Sequence, residues 1–570
     1  MAMRMGIPSF RFFIVAQGEG RCKGRCVYKS EFFRYNNKNK QNEMRGENMI
    51  YRVAFLENEY FWGGSVATGT DMPIHADSHY ERDYTRVIGN QMMPLFLSSK
   101  GRYIWSEHTF KVWVENRELC FEGSGFELYD GGTCLRDAYL AAMEKHFPFE
   151  ETRKNGKQLP REFFKTAQYN SWMEFTYDPT QKGVLEYAHA VVDHGLEPGI
   201  LIIDEGWHTR YGQWEFDFHK FPDPKAMVEE LHAMGFTVML WVTPLVCCDG
   251  KAFISTYHAR LNVNGAQNLF LRTAEGKIAI VEWWNGYSAI LDMRKECDRA
   301  YMDQKLQTLM REYGIDGFKF DGGEYGMYHP ENIQNGTAAL DHDAEALNLA
   351  WNEFGSRYRF HEYKDTFKGG GKATIQRLLD RDHTWEGNGI NTFVPCSLLQ
   401  GLMGHPFVCP DMIGGGEWSC RYKPGFVVDE ELFIRMAQAS ALFPMMQFSW
   451  APWRALSEEA LKHVLGAAQL HKAMGDEIIA LVSNAEQTGE PIIRPLEYGY
   501  PGCGYETVKD EFLLGEDILV CPVVTKGTFE KNIVLPDGNW QDTDGKVYAG
   551  GQTLRMKTPL EQLLWFRKVK

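Results

Sequence analysis

The sequence lacks most of what would mark a membrane, nucleic-acid or metal protein. No stretch approaches the roughly 18 consecutive apolar residues that a bilayer-spanning helix needs, so a soluble protein with no membrane partner is expected. Positive charge is in deficit. The 61 Lys and Arg stand against 76 Asp and Glu, a formal net charge of −15, where a binder of polyanions concentrates an excess of basic residues; no nucleic-acid partner is expected. The 12 cysteines follow no disulfide-framework spacing, and adjacent Cys247 and Cys248 cannot easily bridge, which points to a reducing, cytoplasmic location. No HExxH or comparable ligand pairing is present, and Cys22 and Cys26 lack a second pair nearby, so neither a metal nor another cofactor is expected. The glycine run FKGGGKAT, Phe367 to Thr374, fails the phosphate-loop spacing: no Gly stands five before Gly371, and Ala follows Lys372.

What is present describes a large folded chain. At 570 residues, 44% hydrophobic and 24% charged, it exceeds what one core supports, so a central domain with smaller attachments is expected. The 16 Trp, 26 Tyr and 36 Phe are compatible with stacking on sugar rings, although most aromatics in any large protein are core. Residues 1–48 are basic, with Glu19, Glu31 and Glu43 set against Arg and Lys from Arg4 to Arg45, and read as a disordered extension. Short strand-like runs such as Tyr103 to Trp105 and Phe110 to Val114 make 49–160 a small β-rich region.

Over 161–478 strands alternate with helical patterns. The expected strands are Ser171–Tyr177, Gly199–Asp204, Phe236–Val242, Gly317–Asp321, Phe360–Tyr363, Leu378–Trp385, Pro406–Asp411 and Met445–Ser449, with helices such as Thr180–Gly195, Pro224–Met234 and Arg299–Tyr313 between them. Eight βα units predict an α/β fold, a closed (β/α)8 TIM barrel, rather than a doubly wound sheet, because polar residues recur at many strand ends instead of at one switch point. After Ile479 the text turns β-rich, as in FLLGEDILVCPVV, and 479–570 is expected to be a C-terminal β-sandwich region.

A barrel builds its active site at the carboxyl ends of its strands. Those ends carry Asp204 with Trp207, Trp241, Asp321 with Glu324, Asp380 and Asp411, which are therefore expected to converge. Any single Asp there is as readily a helix cap. Several acids at different strand ends, with tryptophans, instead suit cleavage of a glycosidic bond, which needs one carboxyl to attack or assist and another kept protonated for the leaving group.

GFKFDGGE is the most informative string: an apolar strand ends in Lys319, Asp321 and Glu324, with two glycines that let the backbone turn beside a ligand. It resembles the nucleophile motif of glycoside hydrolase family 31, in particular its α-galactosidase-type branch. From roughly Thr166 onward the resemblance also takes in LIIDEGW, FTVMLWVTP, WWNG, ILDM, GHPFVCPDMIGGG and PMMQFSWAPWR, in order. It implies that Asp321 is the nucleophile of a retaining exo-α-glycosidase acting through a covalent glycosyl-enzyme. Lys319 and Glu324 would orient it or touch the sugar, Asp204, Asp292 and Asp411 would bind hydroxyls, and Trp241 and Trp284 would form apolar walls.

For the acid/base, LLDRDHTW offers Asp380 and Asp382. The family places its catalytic Asp five positions before a Trp, which selects Asp380, with Asp382 as a neighbour whose charge would raise the acid's pKa. Many members carry an Arg sixteen positions before the acid/base. Here that position is Lys364, which cannot reproduce a bidentate fork.

The expected partner is a small carbohydrate, with a terminal α-galactoside ahead of an α-glucoside and a sulfoquinovoside behind both. Self-association is left open. A transglycosylase would use the same intermediate, and a non-catalytic sugar-binding protein would keep the pocket but not the chemistry. A metal-dependent hydrolase, for which the acids and 17 histidines are the only support, would be revealed by loss of activity on chelation.

Overall fold

The computed structural model describes residues 43–45, 48–260 and 268–570, so the basic extension with Cys22 and Cys26 lies outside the described residues except at its end. Two antiparallel sheets come first. One has the order 43–45, 48–54, 118–123, 111–115, 81–83, and the other 127–130, 102–105, 91–98, 60–65, 74–75. Phe96 of the second packs edge-on against Phe121 of the first, ring centroids 5.3 Å apart, and closes a core between them.

The barrel strands are β1 (Gln168–Asn170), β2 (Ile200–Ile203), β3 (Thr237–Val242), β4 (Gly317–Phe320), β5 (Phe360–Glu362), β6 (Gln376–Arg377), β7 (Val408–Cys409) and β8 (Gln447–Phe448). A parallel ladder runs from β5 through β4, β3, β2 and β1 to β8. β6 pairs with β7, and a single bridge from Tyr363 to Gln376 joins that pair to β5. On the other side Met445 N–H donates to the Val408 carbonyl, and Met412–Ile413, which prolong β7, pair with β8. The fold is the expected (β/α)8 barrel.

Two expected strands are misplaced. Ser171–Tyr177 is not β1: Asn170 Oδ1 accepts the N–H of Trp172 at 2.8 Å and turns the chain into a short helix, Trp172–Phe175. Leu378–Trp385 is not β6 either, because Arg381 N–H turns aside to the Asp411 carboxylate and the segment becomes a loop. The count of eight βα units also needs correction: the β5–β6 connection has no helix. Five of the other helices are capped by side chains, Thr180, Asp223, Asp343, Asp429 and Ser457 each accepting a backbone N–H of the first turn, whereas Glu296–Tyr313 and Phe393–Leu402 carry no such cap.

After β8, helices Glu458–Ala473 and Gly475–Thr488 precede the C-terminal sheet, so the β-rich text begins at Ile493 rather than Ile479. That sheet and the hairpin 530–535/552–557 enclose a separate core of Leu513, Leu519, Ile533, Leu535, Trp540 and Phe566. Among the described residues, no helix is long and apolar enough to cross a membrane, and every cysteine is free.

Candidate active site

The alternation of β4 places the chemistry. Phe318 and Phe320 face outward, Phe320 stacking on Tyr363 with centroids 5.1 Å apart, and this turns Lys319 and then Asp321 into the barrel. Gly322 and Gly323 follow with φ of +66° and +62°. A Cβ on either would meet Thr243 Oγ1 or the Trp351 ring at 2.6 Å, so only glycine carries the chain round this turn.

Asp321 is 6% exposed and fully engaged. Its Oδ2 accepts Trp241 Nε1 at 2.9 Å and lies 3.6 Å from Lys319 Nζ; its Oδ1 accepts Gly322 N–H at 3.0 Å and lies 3.2 Å from Lys364 Nζ. Burial raises its pKa, but the ammonium groups of Lys364 and Lys319, the Trp241 N–H and Arg377 together outweigh it and hold the carboxyl below the usual range. Asp204, at the end of β2, accepts Lys319 Nζ at 2.7 Å.

Lys364 joins the two catalytic candidates. Its Nζ also lies 3.2 Å from Asp380 Oδ2, so the nearest oxygens of Asp321 and Asp380 are no farther apart than twice that distance. Asp382 instead faces Lys423 at 3.9 Å. The expectation that Asp382 raises the pKa of Asp380 is overturned. Burial raises it, yet Lys364, Arg377 and Lys319 prevail and the shift is downward.

Beneath these groups lies Arg377, wholly buried. Its Nη1 donates to Asp380 Oδ1 at 2.9 Å and to Asp411, and its Nε to Glu362 at 3.4 Å. Glu362 in turn accepts Gln447 Nε2 at 2.9 Å. Asp411 holds φ of +136°, a strained conformation for a residue with a Cβ, and is pinned by the N–H groups of Arg381 and Gly416. Burial pushes its pKa up to about 6 against the pull of Arg377. Removing one member of such a buried ionic cluster strands the others. Arg377→Met is expected to destabilise the fold by about 3–5 kcal/mol, read from urea denaturation; an unchanged midpoint would mean that the three carboxyls do not depend on it.

The remaining expected residues divide. Trp284 is 44% exposed at the rim, on a hairpin formed by Ile280–Trp283 and Gly286–Ile290. Glu324 is half-buried, its pKa pushed up to about 7 by burial against the pull of Lys364, with Asp321 and Asp380 adding to the rise. Trp207 is as buried as Trp241, but its Nε1 donates to the Trp241 carbonyl at 2.8 Å whereas the Trp241 Nε1 reaches Asp321, so Trp207 stands behind Trp241. Asp292 is held by Arg294 through paired bonds of 2.9 Å, which together with Lys295 keep its pKa low despite burial. Its carboxylate is thus committed within its own loop.

Four residues escaped the sequence reading. Glu205, next to Asp204, accepts Tyr211 Oη at 2.6 Å, Asn285 Nδ2 and, at 3.4 Å, Trp284 Nε1; burial pushes its pKa up to about 7. Adjacent carboxylates in LIIDEGW were the available signal for it. Asn285 stands in the WWNG string, whereas Arg377 and Asp365 left no signal. Asp365 accepts Tyr325 N–H and Asn348 Nδ2, and burial beside Glu324 raises its pKa well above the ordinary value. Among the described residues, no three His, Cys, Asp or Glu side chains are grouped so as to hold a metal ion.

A barrel whose strand ends gather Asp204, Asp321, Asp380 and Asp411 round two lysines and a buried arginine has counterparts among known proteins. Residues 160–455 match the Glycosyl hydrolases family 31 TIM-barrel domain, and 489–568 the Glycosyl hydrolase family 31 C-terminal domain. The chain belongs to glycoside hydrolase family 31. It is 30% identical over 432 residues to the myogenesis-regulating glycosidase of Mus musculus, covering 74% of this chain and 58% of that one. With Alpha-glucosidase 2 of Bacillus thermoamyloliquefaciens it shares 26% identity over 423 residues, 69% of this chain and 51% of that one. The chain thus spans little more than half the length of these relatives. In fold it resembles a Flavobacterium johnsoniae family 31 dextranase solved with glucose, with a TM-score of 0.77 at 19% identity over 93% of this chain and 67% of that one.

Proposed function

We propose that this family 31 protein is a retaining exo-α-glycosidase in which Asp321 is the nucleophile and Asp380 the acid/base. The observation that carries the reading is the shared contact of both carboxylates with Lys364 Nζ, 3.2 Å on each side. That upper bound on the oxygen separation accommodates the roughly 5–5.5 Å of retaining enzymes and reaches only the lower edge of the roughly 6.5–9.5 Å of inverting pairs.

In the resting site both carboxyls are ionised around that ammonium. An entering glycoside displaces Lys364, which frees Asp321 Oδ1 and relieves Asp380 of the cation that depresses its pKa. The sugar also takes water from around Asp380, which raises the pKa further and lets the acid hold a proton. Asp321 then attacks the anomeric carbon, the glycosidic bond breaks with its electron pair going to the aglycone oxygen, and Asp380 delivers its proton to that oxygen. Water, deprotonated by Asp380, attacks the same carbon and releases Asp321, so the sugar leaves with its α configuration.

Trp241 forms the apolar wall of the inner subsite, with Trp284 at the rim, and Asp204, Glu205 and Asn285 face the sugar's hydroxyls. On the aglycone side, Gly416 lies so close that a Cβ would meet Asp380 Oδ1 at 2.9 Å. Two residues on, Trp418 packs against Tyr177 and against exposed Tyr422, an aromatic surface suited to a second sugar ring.

A terminal α-galactoside is the first substrate to test, on the branch resemblance, and an α-glucoside the second, since one relative bears the name of an α-glucosidase. Purified protein offered a panel of p-nitrophenyl α- and β-glycosides, with α-sulfoquinovoside included, is expected to release nitrophenol from one α-glycoside and to form the α-anomer first by NMR. Formation of the β-anomer would contradict the mechanism. Silence across the panel would favour a sugar-binding protein, and transfer to an added sugar in place of hydrolysis a transglycosylase.

A further inference from the structure

The helix missing between β5 and β6 has a substitute from another part of the chain. Thr366–Phe367 pair in parallel with Gln91 and Met92 of the N-terminal strand 91–98, and Lys368 N–H donates to the Met92 carbonyl at 2.9 Å. At the start of that strand stand Asn90 and Gln91, both wholly buried amides that reach into the barrel.

Gln91 Nε2 donates to the Lys364 carbonyl at 2.8 Å and to the Arg377 carbonyl at 2.9 Å, and lies 3.2 Å from Gln376 Oε1. With acceptors on every side, the amide has one orientation. Asn90 Nδ2 donates to the same Lys364 carbonyl, while its Oδ1 accepts Leu379 N–H at 3.3 Å. One dipeptide therefore holds the backbone at the roots of Lys364 and Arg377 and at the residue before Asp380. No other described element bonds all three segments at once through side chains.

We infer that Asn90 and Gln91 are positioning residues for the acid/base, so that the N-terminal sheet forms a working part of the active site. The inference rests on the function proposed above. Two short strands and a helix-free loop cannot by themselves fix Lys364 and Asp380 relative to Asp321, whereas buried hydrogen bonds to three backbone groups can. Proton transfer needs the donor within hydrogen-bond reach of the leaving oxygen, and small misplacements cost it heavily. Attack by Asp321 on a substrate whose leaving group needs no proton does not require that placement.

The test compares two substrates in each variant: the α-glycosyl fluoride, whose fluoride leaves with little acid assistance, and the methyl α-glycoside, whose methanol does not leave without it. Gln91→Met removes two donors, and Asn90→Asp removes the donor to Lys364 while keeping the acceptor for Leu379. In kcat/KM, which reports the first step and not the later general-base step, each variant is expected to lose at least about tenfold on the methyl glycoside and less than about threefold on the fluoride. The ratio is internal to each sample, because a partly unfolded preparation lowers both rates alike. Equal losses on both substrates, or no loss on either, would overturn the inference while leaving the glycosidase reading in place. Failure of the unaltered protein to cleave either substrate, for any sugar of the p-nitrophenyl panel, would overturn both.

Discussion

Asp321→Asn is expected to lose at least about 10⁴-fold in kcat, as removal of an attacking group does elsewhere, while its melting temperature stays near that of the parent. The fold survives because most partners of Asp321 keep others: Lys319 keeps Asp204 at 2.7 Å, Lys364 keeps Asp380 at 3.2 Å, and the amide oxygen still accepts the Trp241 N–H, so that of these partners the Gly322 N–H alone loses its acceptor. Only the attacking carboxylate is gone. Residual turnover within tenfold of the parent, on a preparation shown by mass to be undeamidated, would remove Asp321 from the chemistry.

Asp380→Ala is expected to show a loss graded by the leaving group. With a poor one, about 10²–10⁴-fold disappears, the typical contribution of general acid catalysis; with a dinitrophenyl group the first step is nearly spared and the intermediate accumulates as a burst. Added azide, which needs no general base, then restores turnover and yields the α-glycosyl azide. The same two carboxyls set the pH profile, and Lys364 tunes both. A nearby cation favours the ionised forms, so Lys364→Met raises the pKa of Asp321 and of Asp380, and both limbs of the kcat/KM profile are expected to move to higher pH. Movement of either limb to lower pH would contradict the position given to Lys364.

How much of this was legible depended on whether the signal was local. β4 was legible because an alternating apolar strand, a carboxylate and two glycines stand within eight residues. The order of the barrel strands followed from apolar runs such as ILII and TVMLWV. β1 and β6 were not legible: the first is three residues long with Gln168 and Asn170 turned into the barrel, the second only two, and neither length shows a period. The neighbouring SWMEFTY has the aromatic content of a strand, and one side-chain bond from Asn170 overrides it. Lys364 was read as a poor replacement for arginine. A point charge, however, can stand between two carboxylates where a fork would pair with one. Asn90 and Gln91 have side-chain partners at least 273 positions along the chain, and Arg377, though three residues from Asp380, has its other carboxylates at Glu362 and Asp411; no spacing announces them.

The central claim is the covalent role of Asp321. The most direct test incubates the protein with a 2-deoxy-2-fluoro or 5-fluoro α-glycosyl fluoride of the cleaved sugar, followed by proteolysis and mass spectrometry of the labelled peptide. The account predicts one fluoroglycosyl group per chain, attached within GFKFDGGE at Asp321 and absent from Asp321→Asn. A label on another carboxylate, or steady turnover of the substrate with inversion and no label at all, would contradict it.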